Sequence, residues 1–378
     1  MEVCPNCGNT SLVRDLHLGG QLRCSECQWV GSQVPSVDLP AATISAIRWG
    51  GLLTLVGVFL FFCMQLFVWG QYSFDATLLI VKQYSGVAQE EDYLELGSIC
   101  NAIDNHECAI RYFGKVLDMN PRHKTALANL GINYALDEKW DLAKSHFEGY
   151  FSMGGNGYDV LLWYGRVLDQ IEGDGASIEW SYLALASKPT YQEAAIDLIE
   201  KLSRVGKKIE ALSIIGGMAE GHPQQGSVWS DLFQNMSQEI IDKGWPSSHE
   251  KESFLLAKVK GRHFYIPVAL KEHHSLKLFA IDRAVKHLWM DEDFVFANQI
   301  QIPVDAPTHS LEWGGQQFVG REVKLEQLYI GPWTFKGLKV MACGQCPFIF
   351  GEEPLQLIDY KLWSRHQTEF LTVHHKKH

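Results

Sequence analysis

The hydropathy pattern is dominated by a stretch without charged residues from Trp49 to Phe74, within which WGGLLTLVGVFLFFCMQLFVW is almost wholly apolar. At ~1.5 Å per helical residue such a run covers the ~30 Å of a bilayer's hydrocarbon core, and it predicts a transmembrane helix over 49–72. Trp49, Trp69 and Tyr72 stand where an aromatic belt lies. A compact cysteine-bearing segment precedes the run and no small-residue cleavage site is evident, so it reads as an uncleaved signal anchor rather than a signal peptide. Arg14, Arg23 and Arg48 precede it, whereas Lys82 alone follows before Glu90-Glu91-Asp92. The positive-inside rule then predicts a cytoplasmic N-terminus.

Beyond the span, apolar positions take up helical spacing and whole blocks recur every 34 residues. Pro121, Gly155, Pro189 and Pro223 are successively 34 apart, as are Gly97, Gly131 and Gly165 with Ile199 in the fourth register. Ala109, Ala143, Ser177 and Ala211 repeat likewise, and so do Phe113, Phe147, Ser181 and Ile215. YLELGSICNAIDNHECAIRYFGKVLDMNP and ALANLGINYALDEKWDLAKSHFEGYF carry the pattern most fully. It resembles the tetratricopeptide repeat, whose small residues let two helices cross closely. The resemblance implies an α-helical solenoid over 73–246 with a groove for protein partners. DATLLIVKQYSG is expected as a packing half-repeat. VWSDLFQNMSQEIIDK is expected as a capping helix with Trp229, Leu232, Phe233, Met236 and Ile240 on one face.

After GWPSSHEKES the texture changes from helical to strand-like, with FLLAKVKGRHFYIPVAL, SLKLFAID, EVKLEQLYIG, LKVMACG and PFIFG set between Gly or charged turns. The order GRHFYIPVAL, KEHH, LKLFAID, VGREVKLEQLYIGPWTFKGLKVMA, FIFGEEPLQLI, TEFLTV resembles the bacterial retropepsin-like aspartic proteases. The resemblance implies an all-β lobe over 254–378, with Asp282 in the catalytic position and Ile349-Phe350-Gly351 as the motif beneath it. Catalysis in that family needs two carboxylates sharing a proton, hence a homodimer of such lobes. Its Asp-Thr-Gly triplet is absent here: Arg283 stands for the Thr, Ala284 for the Gly, and Lys286 where a Ser is common. Arg283 is expected to favour the ionised form of Asp282 and Ala284 to crowd the turn, which predicts a pseudoprotease.

Composition adds the remaining boundaries. A chain of 378 residues, 46% hydrophobic and 20% charged, is several folded units rather than disorder. The formal charge of -11 argues against broad nucleic-acid binding, which relies on clustered Lys and Arg. Of nine cysteines, Cys4, Cys7, Cys24 and Cys27 form two CxxC knuckles separated by sixteen intervening residues, with LVRDLHLGGQLR as a hairpin between them. This resembles a zinc ribbon over 1–32, joined to the span by a linker over 33–48. Four thiolates close the shell, so the Zn2+ is structural. Cys100 and Cys108 are either a disulfide or packing thiols; Cys343-Gly-Gln-Cys346 has the spacing of a redox pair but precedes Pro347 and a strand rather than opening a helix, and reads as a structural disulfide or free thiols. LEWGGQQFVG, around Trp313, reads as a surface hairpin, and the terminal HHKKH as a solvated tail. No P-loop, GxGxxG, HExxH or GxSxG occurs.

The sequence therefore predicts a single-pass protein of the bacterial inner membrane, with the ribbon in the cytoplasm and the repeats and lobe in the periplasm. A scaffold binding protein partners through the repeats and a catalytically silent lobe is the first expectation. A membrane-anchored homodimeric aspartic peptidase using Asp282, or a sensor signalling to a cytoplasmic partner of the ribbon, are the alternatives.

Overall fold

The computed structural model describes residues 12–15, 21–24, 30–31, 73–221, 224, 226–245, 252–259, 261–271, 275–365 and 368–376. They fall into two compact units, Met1–Val81 and Lys82–His378. In the first, β1 (Leu12–Asp15), β2 (Gln21–Cys24) and β3 (Val30–Gly31) form an antiparallel sheet in that order. Leu12 faces Cys24 and Leu22 faces Gly31. Cys24 ends β2. Cys4, Cys7 and Cys27, and the span 49–72, lie outside the described residues. Among the described residues no helix is long and apolar enough to cross a membrane, and no group of three or more His, Cys, Asp or Glu is placed to hold a metal. Helix α1 (Ser73–Tyr84) leads out of this unit.

The second unit opens with four helix pairs: α2 (Glu90–Ala102) with α3 (His106–Met119), α4 (Lys124–Leu136) with α5 (Trp140–Ser152), α6 (Tyr158–Ile171) with α7 (Asp174–Ser187), and α8 (Gln192–Arg204) with α9 (Lys208–Gly221). First helices begin at 90, 124, 158 and 192, and second helices at 106, 140, 174 and 208, so both series keep the 34-residue period. The reason is steric. A Cβ on Gly97 would stand 2.6 Å from the Phe113 ring, and one on Gly131 would stand 2.5 Å from that of Phe147. Both rings are wholly buried. Glycine on the first helix thus lets an aromatic of the second lie flat against its backbone. The chain turns between the paired helices through Asp104 and Glu138, both left-handed at φ 54° and 58°. α10 (Gly226–Lys243) follows as a cap, burying Trp229, Met236 and Ile240, with Leu232 and Phe233 packed beside them.

The third and fourth pairs depart from this scheme. Ser181 replaces the aromatic, and the space is filled by Lys201, 2% exposed, whose Nζ donates to Asp197 at 2.7 Å and Ser181 Oγ at 3.1 Å. A buried ammonium is tolerable only because its donors are met. α9 is buried along most of its length, since one side packs on α8 and the other on the β domain.

That domain comprises β4 (Ser253–Lys258), β5 (Phe264–Ala269), β6 (Leu276–Ile281), β7 (Leu288–Asp291), α11 (Glu292–Ala297), β8 (Thr308–Trp313), β9 (Gln316–Ile330), β10 (Trp333–Cys343), β11 (Ile349–Phe350), α12 (Glu352–Leu355), β12 (Ile358–Arg365) and β13 (Thr368–His375). Seven strands run in the order β10-β7-β11-β6-β5-β9-β8 and close through an added β9–β10 pairing, while β12-β13-β4 form a separate sheet. The run FLLAKVKGRHFYIPVAL is thus split between two sheets at Gly261, left-handed at φ 100°. The β domain is joined to the repeats by a shared core. Ala257, Ala269, Leu276 and Phe370 belong to the cluster built by α6 to α10, and Ile209 of α9 to the cluster inside the domain. Ser213 Oγ donates to the Ala257 carbonyl and accepts from the Ala257 amide, each at 3.1 Å. A Cβ on Gly216 would stand 2.3 Å from Tyr265. Cys100 is paired with Cys108 across α2 and α3, and Cys343 with Cys346 beyond β10.

Candidate functional site

Asp282 follows β6, just past the buried Phe279 and Ala280, and is itself partly buried. Its position is set by backbone. β11 runs parallel to β6 with Phe350 opposite Ile281, and Asp282 N donates to Phe350 O at 3.2 Å. The loop after Asp282 is held from below: Glu352 N donates to Val285 O at 2.7 Å, and Glu353 N to Lys286 O at 2.9 Å. Gly351 permits this approach, because a Cβ there would stand 2.3 Å from His287 O.

The carboxylate is engaged on both oxygens. Oδ1 accepts from Ala284 N at 2.9 Å, closing an Asx-type turn, and Oδ2 accepts from Trp313 Nε1 at 3.1 Å. His263 Nε2 lies 3.9 Å from Oδ2, and its Nδ1 lies 3.0 Å from Glu220 Oε1. Glu220 Oε2 also accepts from Arg262 N at 2.9 Å, so the last turn of α9 positions the imidazole. Trp313 ends β8 at the tip of the β8–β9 hairpin, where Gly314 and Gly315 are left-handed at φ 60° and 78°. The hairpin is therefore tied down onto Asp282. An open cleft of about 420 Å³ remains beside it, lined among others by His287, His309, Ser310 and Glu312.

Arg283 and Ala284 are both exposed, and Arg283 makes no ion pair with Asp282 among the described residues. The neighbours that matter are Trp313 and His263, from elements 31 and 19 residues away in sequence. No local motif signals either contact. The cleft places Asp282, with its oxygens already accepting from protein donors, beside two histidines, His287 and His309, whose rings lie 5.0 Å apart. His287 Nδ1 is in turn 2.8 Å from Glu353. No second carboxylate of the chain is within hydrogen-bonding distance of Asp282 among the described residues.

A second candidate surface is the face of the repeats formed by their first helices. Polar side chains link neighbouring first helices within two of the repeat pairs. Asn101 Nδ2 donates to Asn129 Oδ1 at 3.0 Å, Arg166 pairs with Glu193 at 2.8 Å and Asp197 at 3.3 Å, and Arg204 pairs with Asp169 at 2.7 Å. Trp163 is half-buried on this face, with the Arg166 guanidinium 4.9 Å from its ring centroid. A third feature, at the junction with the β domain, is Glu210. It is 3% exposed and accepts from Tyr182 Oη at 2.6 Å. Burial pushes its carboxyl above the ordinary range against the opposing influences of Lys207 and that hydrogen bond.

No protein-family model matches the chain, and no curated protein is similar to it. Among solved structures it is similar to YrrB, described as a TPR protein with an unusual peptide-binding site, at 22% identity over 41% of this chain and 78% of that one, TM-score 0.36. It is similar to MamA at 19% identity over 40% of this chain and 85% of that one, TM-score 0.35. The corresponding values for MamA from Desulfovibrio magneticus RS-1, residues 41 to the end, are 15%, 41%, 77% and 0.30. By its own geometry the chain is an array of helix pairs at a 34-residue period, with a β-rich domain built onto the last pair.

Proposed function

We propose that the chain is a single-pass inner-membrane scaffold whose repeats bind protein partners in the periplasm, with a structural zinc ribbon on the cytoplasmic side. The observation that carries the reading is the face of α2, α4, α6 and α8. Polar contacts join α2 to α4 and α6 to α8 along it, and the β domain packs chiefly on α9 instead. The membrane anchor rests on the apolar run at 49–72, and the orientation on the Arg bias before it. Pairing of Cys100 with Cys108 and of Cys343 with Cys346 fits an oxidising compartment.

The β domain is read as a protease-like lobe retained for binding and for stiffening the array. The strand ending at Asp282, the loop pinned over Ile349-Phe350-Gly351 and the hairpin above it support the likeness to a retropepsin lobe. Aspartic catalysis needs a water held between two carboxylates that share a proton. Here Asp282 serves as an acceptor for the turn and the hairpin, which supports a silent lobe. The test is a cell-based assay of function for Asp282→Asn beside deletion of residues 254–378. Failure of the deletion with survival of Asp282→Asn is expected. Failure of both at normal protein levels, with a substrate cleaved only by the wild type, establishes a peptidase instead.

A further inference from the structure

The repeats carry the whole of the chain's net charge. From Glu90 to Lys243 there are 24 acidic and 13 basic residues, a balance of -11, whereas the remainder holds 20 of each. On the first-helix face the imbalance is sharper. Register positions one, two or three repeats apart supply Glu91, Asp159 and Glu193 in one row, Glu95 and Asp197 in a second, and Glu200 in a third. Glu91, Glu95, Asp159 and Glu200 are exposed and make no ion pair among the described residues. Two cations of this face are already held, Arg166 by Glu193 and Asp197 and Arg204 by Asp169 and Asp174, while Lys124 at the start of α4 is exposed. Charge on this face is therefore unbalanced in one direction, and Trp163 adds a flat apolar surface in its middle.

We infer that the groove takes an extended basic segment of a partner protein, with Lys or Arg side chains spaced to meet Glu95, Asp159 and Glu200 and an aromatic or aliphatic residue set against Trp163. The inference rests on the scaffold reading above and specifies its partner. Complementary charge of this kind governs partner choice and encounter rate more than contact area does. A guanidinium or ammonium meeting an unpaired carboxylate displaces no protein cation, whereas an acidic segment meets repulsion along this face. The β domain, with 15 basic and 13 acidic residues over 254–378, has no comparable preference.

The test uses the full chain in neutral detergent and a fluorescein-labelled peptide of alternating Lys and Ser around one central Tyr. Counterparts carry Glu or Gln for Lys, and binding is read by fluorescence anisotropy. The Lys peptide is expected to bind at least about tenfold more tightly than the Gln peptide, and to weaken as salt is raised from about 20 mM to about 300 mM. The triple variant Glu95→Lys/Asp159→Lys/Glu200→Lys should lose about tenfold or more. Asp305→Lys/Glu326→Lys/Asp359→Lys, the same charge change at exposed sites of the β domain, should lose less than about twofold. The isosteric Glu95→Gln/Asp159→Asn/Glu200→Gln should fall between, and helical circular dichroism confirms that each variant is folded. Equal losses from the two reversals overturn the inference. If Lys and Gln peptides bind alike and Trp163→Ala abolishes both, the basic preference is refuted while the scaffold reading stands. If no peptide binds, the inference fails and the scaffold reading is decided by the cell assay of the lobe deletion.

Discussion

Replacing Gly131 by Ala isolates the contact that sets the repeat geometry. In an isolated helix the change stabilises by about 1 kcal/mol, because Gly loses more backbone freedom than Ala. In this array the new Cβ stands 2.5, 2.6 and 2.9 Å from Cε1, Cδ1 and Cζ of Phe147, a ring with no exposed surface. Overpacking of this kind costs about 1–3 kcal/mol, which offsets or exceeds the propensity gain, so Gly131→Ala should destabilise by up to about 2 kcal/mol. In a Phe147→Ala background, itself about 3–5 kcal/mol less stable, the ring is gone and Gly131→Ala should stabilise by about 0.5–1 kcal/mol. Gly114 of α3, where a Cβ would meet nothing within 4 Å, is the control, and Gly114→Ala should stabilise in the wild type. Urea unfolding followed at the helical dichroism band measures all three. Stabilisation by Gly131→Ala in the wild type, equal to that of Gly114→Ala, refutes the account of the helix crossing.

Glu210→Gln should raise stability at pH 8 by about 1 kcal/mol, because a buried carboxylate no longer has to be desolvated, while the amide oxygen still accepts from Tyr182. Burial raises the folded carboxyl above its ordinary value of 4.5, so the native wild type binds the proton more tightly than the unfolded chain. Its contribution is fully present below that value and is lost as pH rises through the folded one. The advantage of Gln should therefore shrink as denaturation is repeated at falling pH, and an advantage that grows on acidification refutes the assignment. Metal analysis of chain purified without chelators should give about one zinc per molecule, and Cys24→Ser should abolish it; protein without zinc removes the ribbon. Trp313→Phe should release the β8–β9 hairpin, raising amide exchange at its tip by about tenfold, the loss of a hydrogen bond to a carboxylate; unchanged exchange shows that the indole does not hold it.

What was legible in the sequence follows from the range of the contacts. The first two repeats could be read because each rests on a local pair, Gly97 with Phe113 and Gly131 with Phe147, sixteen residues apart at fixed register. The third and fourth were fainter because Ser181 replaces the aromatic in one, and Ile199 and Ile215 replace the glycine and the aromatic in the other. Lys201, Asp197 and Ser181 satisfy one another where a ring is absent, and no hydropathy rule anticipates a buried ammonium. A change from helical to strand texture near residue 247 was equally plain. The division of one apolar run between β4 and β5 was not, since it depends on α9. Ser213 reaches Ala257 and Glu220 reaches His263, 44 and 43 residues on.

The same limit applies to Asp282. Its place at the end of an apolar strand is visible in the sequence, but its sequence neighbours Arg283 and Ala284 are left exposed by the fold. Its partners in space come from three separate elements: the turn amide of Ala284, the indole of Trp313, and the imidazole of His263 held by Glu220. An acid with two oxygens can accept from the turn and from the hairpin at once, while an amide has a single acceptor and can keep only one of the two. The geometry therefore gives a structural reason for a carboxylate at this position that is independent of proteolysis, at a net value of about 1.5–3 kcal/mol for each charge-assisted bond.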